Sequence, residues 1–144
     1  KYFAIARVFR PDVVDATHLS EFNQCEGIII GKNLSFANLL GWLGKLAREI
    51  SNATEVKFKP DYYPFTEPSV EVSIKLKGKW LEVGGAGIFR EELVKPLLGK
   101  YYGKELRVLA WGLGIDRLAM IKYNIHDIRH IFAKNLDVLR EKPI

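Results

Sequence analysis

One cysteine, Cys25, stands in 144 residues, so the chain can build neither an internal disulfide nor a four-cysteine zinc site. That accords with a reducing compartment. No apolar run approaches the ~20 residues that span a bilayer, and the charged, aromatic start at Lys1 is not a signal peptide. A soluble, cytoplasmic chain without membrane contact is expected. The Gly-Lys-Ser/Thr signature of a phosphate loop is missing, and Gly84-Gly85-Ala86-Gly87 fails as a dinucleotide loop because Arg90 stands where the third glycine belongs. His126 and His130 are spaced i, i+4, but Asp127 replaces the longer Glu of a zinc protease and no third ligand follows.

What is present is ordinary globular composition. Hydrophobic residues make up 48% and charged residues 27%, which excludes disorder as the general state. The length suits one domain over residues 1–144 with a real core. A net charge of +5 is compatible with a polyanionic substrate or partner but does not assign one.

Taken in order, residues 1–31 read as strand, loop, strand. Apolar and polar residues alternate on both arms, Ala4-Ile5-Ala6-Arg7-Val8-Phe9-Arg10 and Phe22-Asn23-Gln24-Cys25-Glu26-Gly27-Ile28-Ile29-Ile30, the period of strands with one buried face. Ser35 is placed as the N-cap of an amphipathic helix on Phe36, Leu39, Leu40, Leu43, Leu46, Ala47 and Ile50, ending at Ser51-Asn52. Its Gly41 and Gly44 cost about 1 kcal/mol each relative to Ala, so it is expected to depend on packing. Residues 56–59 form a short strand stopped by Pro60, and residues 61–68 a stiff aromatic loop suited to a pocket wall, or to simple packing on the core. A second hairpin turns at Gly78. Residues 90–98 make a short helix interrupted by Pro96, and Lys100, Tyr101, Tyr102 and Lys104 an exposed basic turn or an RNA contact. An apolar strand over 108–114 runs into a helix from Ile115, and residues 127–139 read as a last helix.

Polar residues single out one strand face. Arg10 ends the first arm, and Gln24 and Glu26 share a face of the second, which marks a site or a solvated outer face with routine charge pairs. Arg117 sits in the first turn of a helix, where the dipole is already positive. An anion between them would justify it; a surface arginine paired with Asp116 or Asp127 is the alternative. Glu67, Glu71 and Glu82 lie on or beside the second hairpin, and carboxylates beside a triphosphate are natural Mg²⁺ ligands.

Four blocks then carry a resemblance. Val8-Phe9-Arg10-Pro11-Asp12 with Asp15-Ala16-Thr17-His18 and Phe22-Asn23-Gln24-Cys25-Glu26-Gly27 resembles motif 2 of the class II aminoacyl-tRNA synthetases, in the form of the phenylalanyl-tRNA synthetase alpha subunit. Tyr62-Tyr63-Pro64-Phe65-Thr66-Glu67-Pro68-Ser69 and Trp80-Leu81-Glu82-Val83-Gly84-Gly85-Ala86-Gly87 agree with the same family, and Gly112-Leu113-Gly114-Ile115-Asp116-Arg117-Leu118-Ala119-Met120 resembles motif 3. Motif 2 would cover about residues 1–31 and motif 3 about residues 107–123.

The resemblance implies an α+β fold, an antiparallel sheet flanked by helices, and ATP-dependent activation of phenylalanine followed by transfer to tRNA(Phe), with a beta subunit as partner in an α2β2 heterotetramer. It implies that Arg10 contacts the α-phosphate, that His18 and Arg117 hold the outer phosphates, that Phe22 stacks on adenine and that Asp12 orders the ATP side. Gln24 and Glu26 would face the amino acid's ammonium, and Tyr63, Phe65 and Ala110 would form the side-chain pocket. Glu67 and Glu82 are the carboxylates chosen for Mg²⁺. Family members often carry phenylalanine where Tyr63 stands, so its hydroxyl needs a partner. Motif 1 precedes motif 2 in the family, whereas this chain starts inside the first strand of motif 2. A fragment with an exposed sheet edge is therefore expected. The rival readings are a non-catalytic relative that binds RNA or protein, and a synthetase for another amino acid.

Overall fold

Alternating apolar residues become a six-stranded antiparallel sheet in the computed structural model, which describes residues 1–16, 18–76, 78–132 and 136–141. Strands β1 (Tyr2–Phe9), β2 (Glu21–Lys32), β3 (Val56–Asp61), β4 (Thr66–Leu76), β5 (Lys79–Phe89) and β6 (Leu106–Gly114) lie in the order β1-β2-β6-β5-β4-β3. The expected α+β architecture is the one found. Strand β1 is an edge, and Tyr2, Phe3, Ile5 and Phe9 on it are exposed.

The connection from β2 to β3 must cross most of the sheet, four strand spacings or ~19 Å. Helix α1 (Phe36–Ser51) spans that distance, since its 16 residues run ~24 Å. It starts at Ser35 as the sequence predicts: the Asn38 N–H donates to Ser35 Oγ at 3.1 Å and the Ser35 N–H donates to Asn38 Oδ1 at 2.8 Å, a reciprocal cap. Asn52, at φ +57°, ends it. Leu39, Leu43 and Ala47 are fully buried against Val70, Val72 and Ile74 of β4, Val83 of β5, Leu109 and Leu113 of β6 and Ile29 of β2. Of the two helix glycines, Gly44 packs beside Phe58 and Gly41 faces open space. Helix α3 (Ile115–Lys122) adds Leu118 to the same core. Among the described residues no helix is long and apolar enough to cross a membrane.

Four local expectations need correction. Pro60 does not stop β3 but pairs with Val70 inside it, because β3 is an edge strand and one side of its backbone needs no donor. The aromatic loop shrinks to residues 62–65, as β4 already begins at Thr66. Pro96 sits inside α2 (Glu91–Leu98) without interrupting it, since the proline falls in the last turn and removes a single bond before Gly99 ends the helix. The expected helix over 127–139 is instead a 3-10 turn at Ile128–His130 and a short α4 (Leu136–Glu141), with residues 133–135 outside the described ones. Asp127 accepts from the Arg129 N–H at 2.9 Å and so tightens a turn rather than opening a long helix. His126 precedes that turn, so the two histidines share no helical face.

Because α1 carries the core face, Leu43→Ala should cost about 2–5 kcal/mol. Ser35→Ala should cost about 1 kcal/mol, and chemical denaturation of the two variants against wild type checks that order.

Candidate active site

The sheet face away from α1 is bare at its centre. Strand pairing lines up Ala4, Glu26, Gly112, Gly85, Glu71 and Lys59 in one cross-strand row, and Tyr2, Ile28, Ala110, Gly87, Ser69 and Asp61 in the next. The middle of both rows is glycine or alanine. A cavity of about 970 Å³ opens over this floor, and backbone there is reachable by a ligand lying flat on it.

The walls collect residues distant in sequence. Arg10, Asp12, His18, Phe22, Gln24, Glu26, Tyr63, Phe65, Glu82, Ala110 and Arg117 all line this cavity, so of the twelve residues given a role in ATP, amino acid or Mg²⁺ binding only Glu67 is elsewhere. Glu67 instead forms an ion pair with Arg90 at 3.2 Å, at a separate surface groove. In an unbroken strand it would share a face with Ser69 and Glu71. A register shift between Thr66 and Ser69 breaks that parity, and Thr66 lines the cavity in its place.

Along β2 the cavity changes character. Near Phe22 it is cationic: the Arg10 guanidinium lies 5.0 Å from the Phe22 ring centroid, and the Arg10 N–H donates to the Ser20 carbonyl at 2.8 Å, closing the base of the β1–β2 loop. At the loop tip the His18 N–H donates to Asp15 Oδ1 at 2.7 Å, and His18 Nδ1 is 3.0 Å from both Asp15 carboxylate oxygens. Arg117, in the first turn of α3, donates from Nη1 to the Glu82 carbonyl at 3.1 Å. Asp116 is not paired with it. That carboxylate is buried and accepts from the Asn23 N–H at 2.7 Å and from Asn23 Nδ2 at 3.0 Å, tying the start of α3 to β2 between Phe22 and Gln24.

In the middle, Gln24 Nε2 donates to Glu26 Oε1 at 2.6 Å. A Cβ on Gly112 would come within 2.8 Å of that amide nitrogen, so the glycine makes room for Gln24. Toward Ala110 the cavity turns aromatic. Tyr63 and Phe65 stack with centroids 6.3 Å apart, and Phe65 meets Phe89 edge-on at 6.2 Å. Phe89 also lines the cavity, though the sequence reading passed over it, as does Asp116, which that reading named only as an alternative partner of Arg117. A Cβ on Gly85 would collide with the Tyr63 hydroxyl. Burial, and then the Asp61 carboxylate beside it, push the Tyr63 phenol well above its ordinary range. Asp61 is thus the polar neighbour that the added hydroxyl calls for.

The carboxylates do not form a metal cage. Among the described residues no group of three His, Cys, Asp or Glu side chains is placed to hold an ion. Glu71 is engaged by Ser73 at 2.7 Å and by Lys59 at 3.3 Å, which leaves Glu82 as the chosen carboxylate in the cavity wall. Lys100, Tyr101, Tyr102 and Lys104 do not line the cavity.

Residues 1–142 match the family described as tRNA synthetases class II core domain (F), and the chain belongs to that family. It is 58% identical, over its whole length, to the phenylalanine–tRNA ligase alpha subunit of Thermococcus gammatolerans, and 56% identical to that of Pyrococcus furiosus. The corresponding subunit of Sulfolobus acidocaldarius is 47% identical, again over the whole chain. The chain spans 28% of the first two relatives and 30% of the third.

The Tyr63 environment is testable by phenolate absorbance against pH. The folded protein keeps a proton there that the unfolded chain releases near pH 10, so this group's contribution to stability is intact below that pH and falls as pH rises above it. Tyr63→Phe should remove one late-titrating phenol from that curve.

Proposed function

We propose that this cavity activates phenylalanine with ATP, as the catalytic part of a phenylalanine–tRNA ligase alpha subunit, for transfer to tRNA(Phe). The observation that carries the reading is the joining of a cationic end and an aromatic end in one cavity, across the Gln24–Glu26 pair.

The chemistry follows from those positions. The amino acid carboxylate attacks the α-phosphorus of ATP, an acyl–phosphate bond forms, and the bond to the bridging oxygen breaks as pyrophosphate leaves. Charge builds on the phosphoryl oxygens, so fixed cations supply the catalysis and no protein nucleophile is required. Arg10 serves the α-phosphate because its planar fork bonds two oxygens at once. Its place 5.0 Å from the Phe22 ring sets a phosphate contact beside a stacking platform for adenine. Asp12 orders the same side, and His18 and Arg117 hold the outer phosphates. An anion between Arg117 and the N-terminus of α3 offsets a cation placed against the dipole.

Glu26 and the amide oxygen of Gln24 accept the substrate ammonium. Tyr63, Phe65 and Phe89 take the ring, and the small Ala110 leaves room for it. Mg²⁺ keeps several waters and binds through one or two carboxylates plus phosphates. Glu82 suits that role and the paired Glu67 does not. When bound, the ion would neutralise charge on the outer phosphates. A beta subunit in an α2β2 assembly and a cytoplasmic location complete the reading.

Phenylalanine-dependent ATP–pyrophosphate exchange by the full-length subunit with its partner tests it. Arg10→Ala should lower that exchange by about 10²–10³-fold, and wild-type protein inactive with phenylalanine would overturn the assignment. Ala110→Gly should admit larger para-substituted phenylalanines. Unchanged selectivity in that variant would remove Ala110 from the pocket.

A further inference from the structure

The loop between β1 and β2 carries Asp12 and His18 to the cavity, and its bonds at base and tip are local in sequence. Arg10 bonds Ser20 at the base and Asp15 bonds His18 at the tip. Bonds local in sequence give a loop its shape without fixing where it points. One tie to the rest of the molecule comes from the 3-10 turn after α3: the Ile128 N–H donates to the Ala16 carbonyl at 3.0 Å. The Ile128 side chain is 3% exposed and is itself part of the cavity wall.

That turn is stiffened by its own neighbours. Asp127 accepts from the Arg129 N–H and, at 2.9 Å and 2.5 Å, from Arg129 Nε and Nη2. The same guanidinium is close enough to Asp15 to feel its charge, and Asp15 holds His18. Further along, Phe132 lies 6.0 Å beneath the Arg7 guanidinium of β1. The link to the loop therefore runs from Asp127 and Arg129, which shape the turn, through the Ile128 N–H to the Ala16 carbonyl.

We propose that Asp127, Ile128 and Arg129 are positioning residues for the nucleotide half of the site, holding the β1–β2 loop so that Asp12 and His18 face the cavity. The inference rests on the reading of that half as an ATP site. None of the three needs to touch substrate. The amino acid half, built on Tyr63, Phe65 and Ala110, hangs from β3, β4 and β6 and does not depend on the turn.

The test uses the full-length subunit with its partner, carrying Asp127→Ala, Asp127→Asn or Arg129→Ala. ATP and phenylalanine affinities are measured by calorimetry, and the two KM values by pyrophosphate exchange. Asp127→Ala and Arg129→Ala should weaken ATP about tenfold while leaving the phenylalanine KM within about twofold. Asp127→Asn keeps an oxygen for the turn and should fall between them and wild type, which decides the matter if the alanine variants fail to fold. Equal losses for both substrates, or no change in either, would overturn the positioning role. Wild-type protein that binds neither substrate would overturn the ATP reading itself.

Discussion

Every feature of the cavity depends on one constraint: the central strands must be large and apolar on one face and almost without side chains on the other. Val83, Leu109 and Leu113 fill the space beneath α1, while on the opposite face Gly85, Gly87 and Gly112 make room for Tyr63, Thr66 and Gln24 beside the small Ala110. Glycine in a strand interior sacrifices packing and adds backbone entropy to the unfolded chain. The buried leucines of α1 offset that loss from the other side. The helix is therefore a condition of the site although it touches none of it.

Bare backbone alone would be a flat surface without direction. Direction comes from residues that the sheet order brings together, with β6 lying between β2 and β5. Gln24 and Glu26 then stand beside Gly114 and Gly112, and the start of α3 lies against β2. The buried Asp116 fixes that meeting with two bonds from Asn23. A carboxylate so buried is costly unless its oxygens are engaged, and its satisfaction locks Phe22, Gln24 and Arg117 into one frame. Arg117 is thereby left to point at Glu82 rather than at its neighbour in sequence.

What the sequence made legible was local. The strand-loop-strand of residues 1–31, the cap at Ser35 and the glycine-rich junction before Ile115 each carry their own physical signal and appear where they were read, although β1 is exposed on both faces instead of burying one. The resemblance supplied the site residues, and the structure gathers eleven of those twelve in one cavity. What escaped depended on partners far along the chain. Pro60 is tolerated only because β3 ends the sheet, and strand order is invisible in the residues around it. Glu67 was chosen with Glu82 only as a carboxylate on or beside the second hairpin, and the register shift between Thr66 and Ser69 that turns it away cannot be read from the residues. Phe89 and Asp116 look like ordinary strand and helix residues until pairing sets them beside Phe65 and Asn23.

The division between the two halves of the cavity follows from the same topology. Its aromatic half sits in the short loop between the paired strands β3 and β4, where Tyr63 and Phe65 stack on one another and their carbonyls accept from the Thr66 and Arg90 N–H groups. Its cationic half hangs from a loop and from the first turn of a short helix, elements with few long-range bonds of their own. Rigidity there has to be imported, through Asp116 for α3 and through Ile128 for the loop. A polyanion bridging Arg10, His18 and Arg117 would add the remaining constraint. On the proposed reading the nucleotide would complete its own site, whereas the ring pocket would stand formed before its ligand arrives.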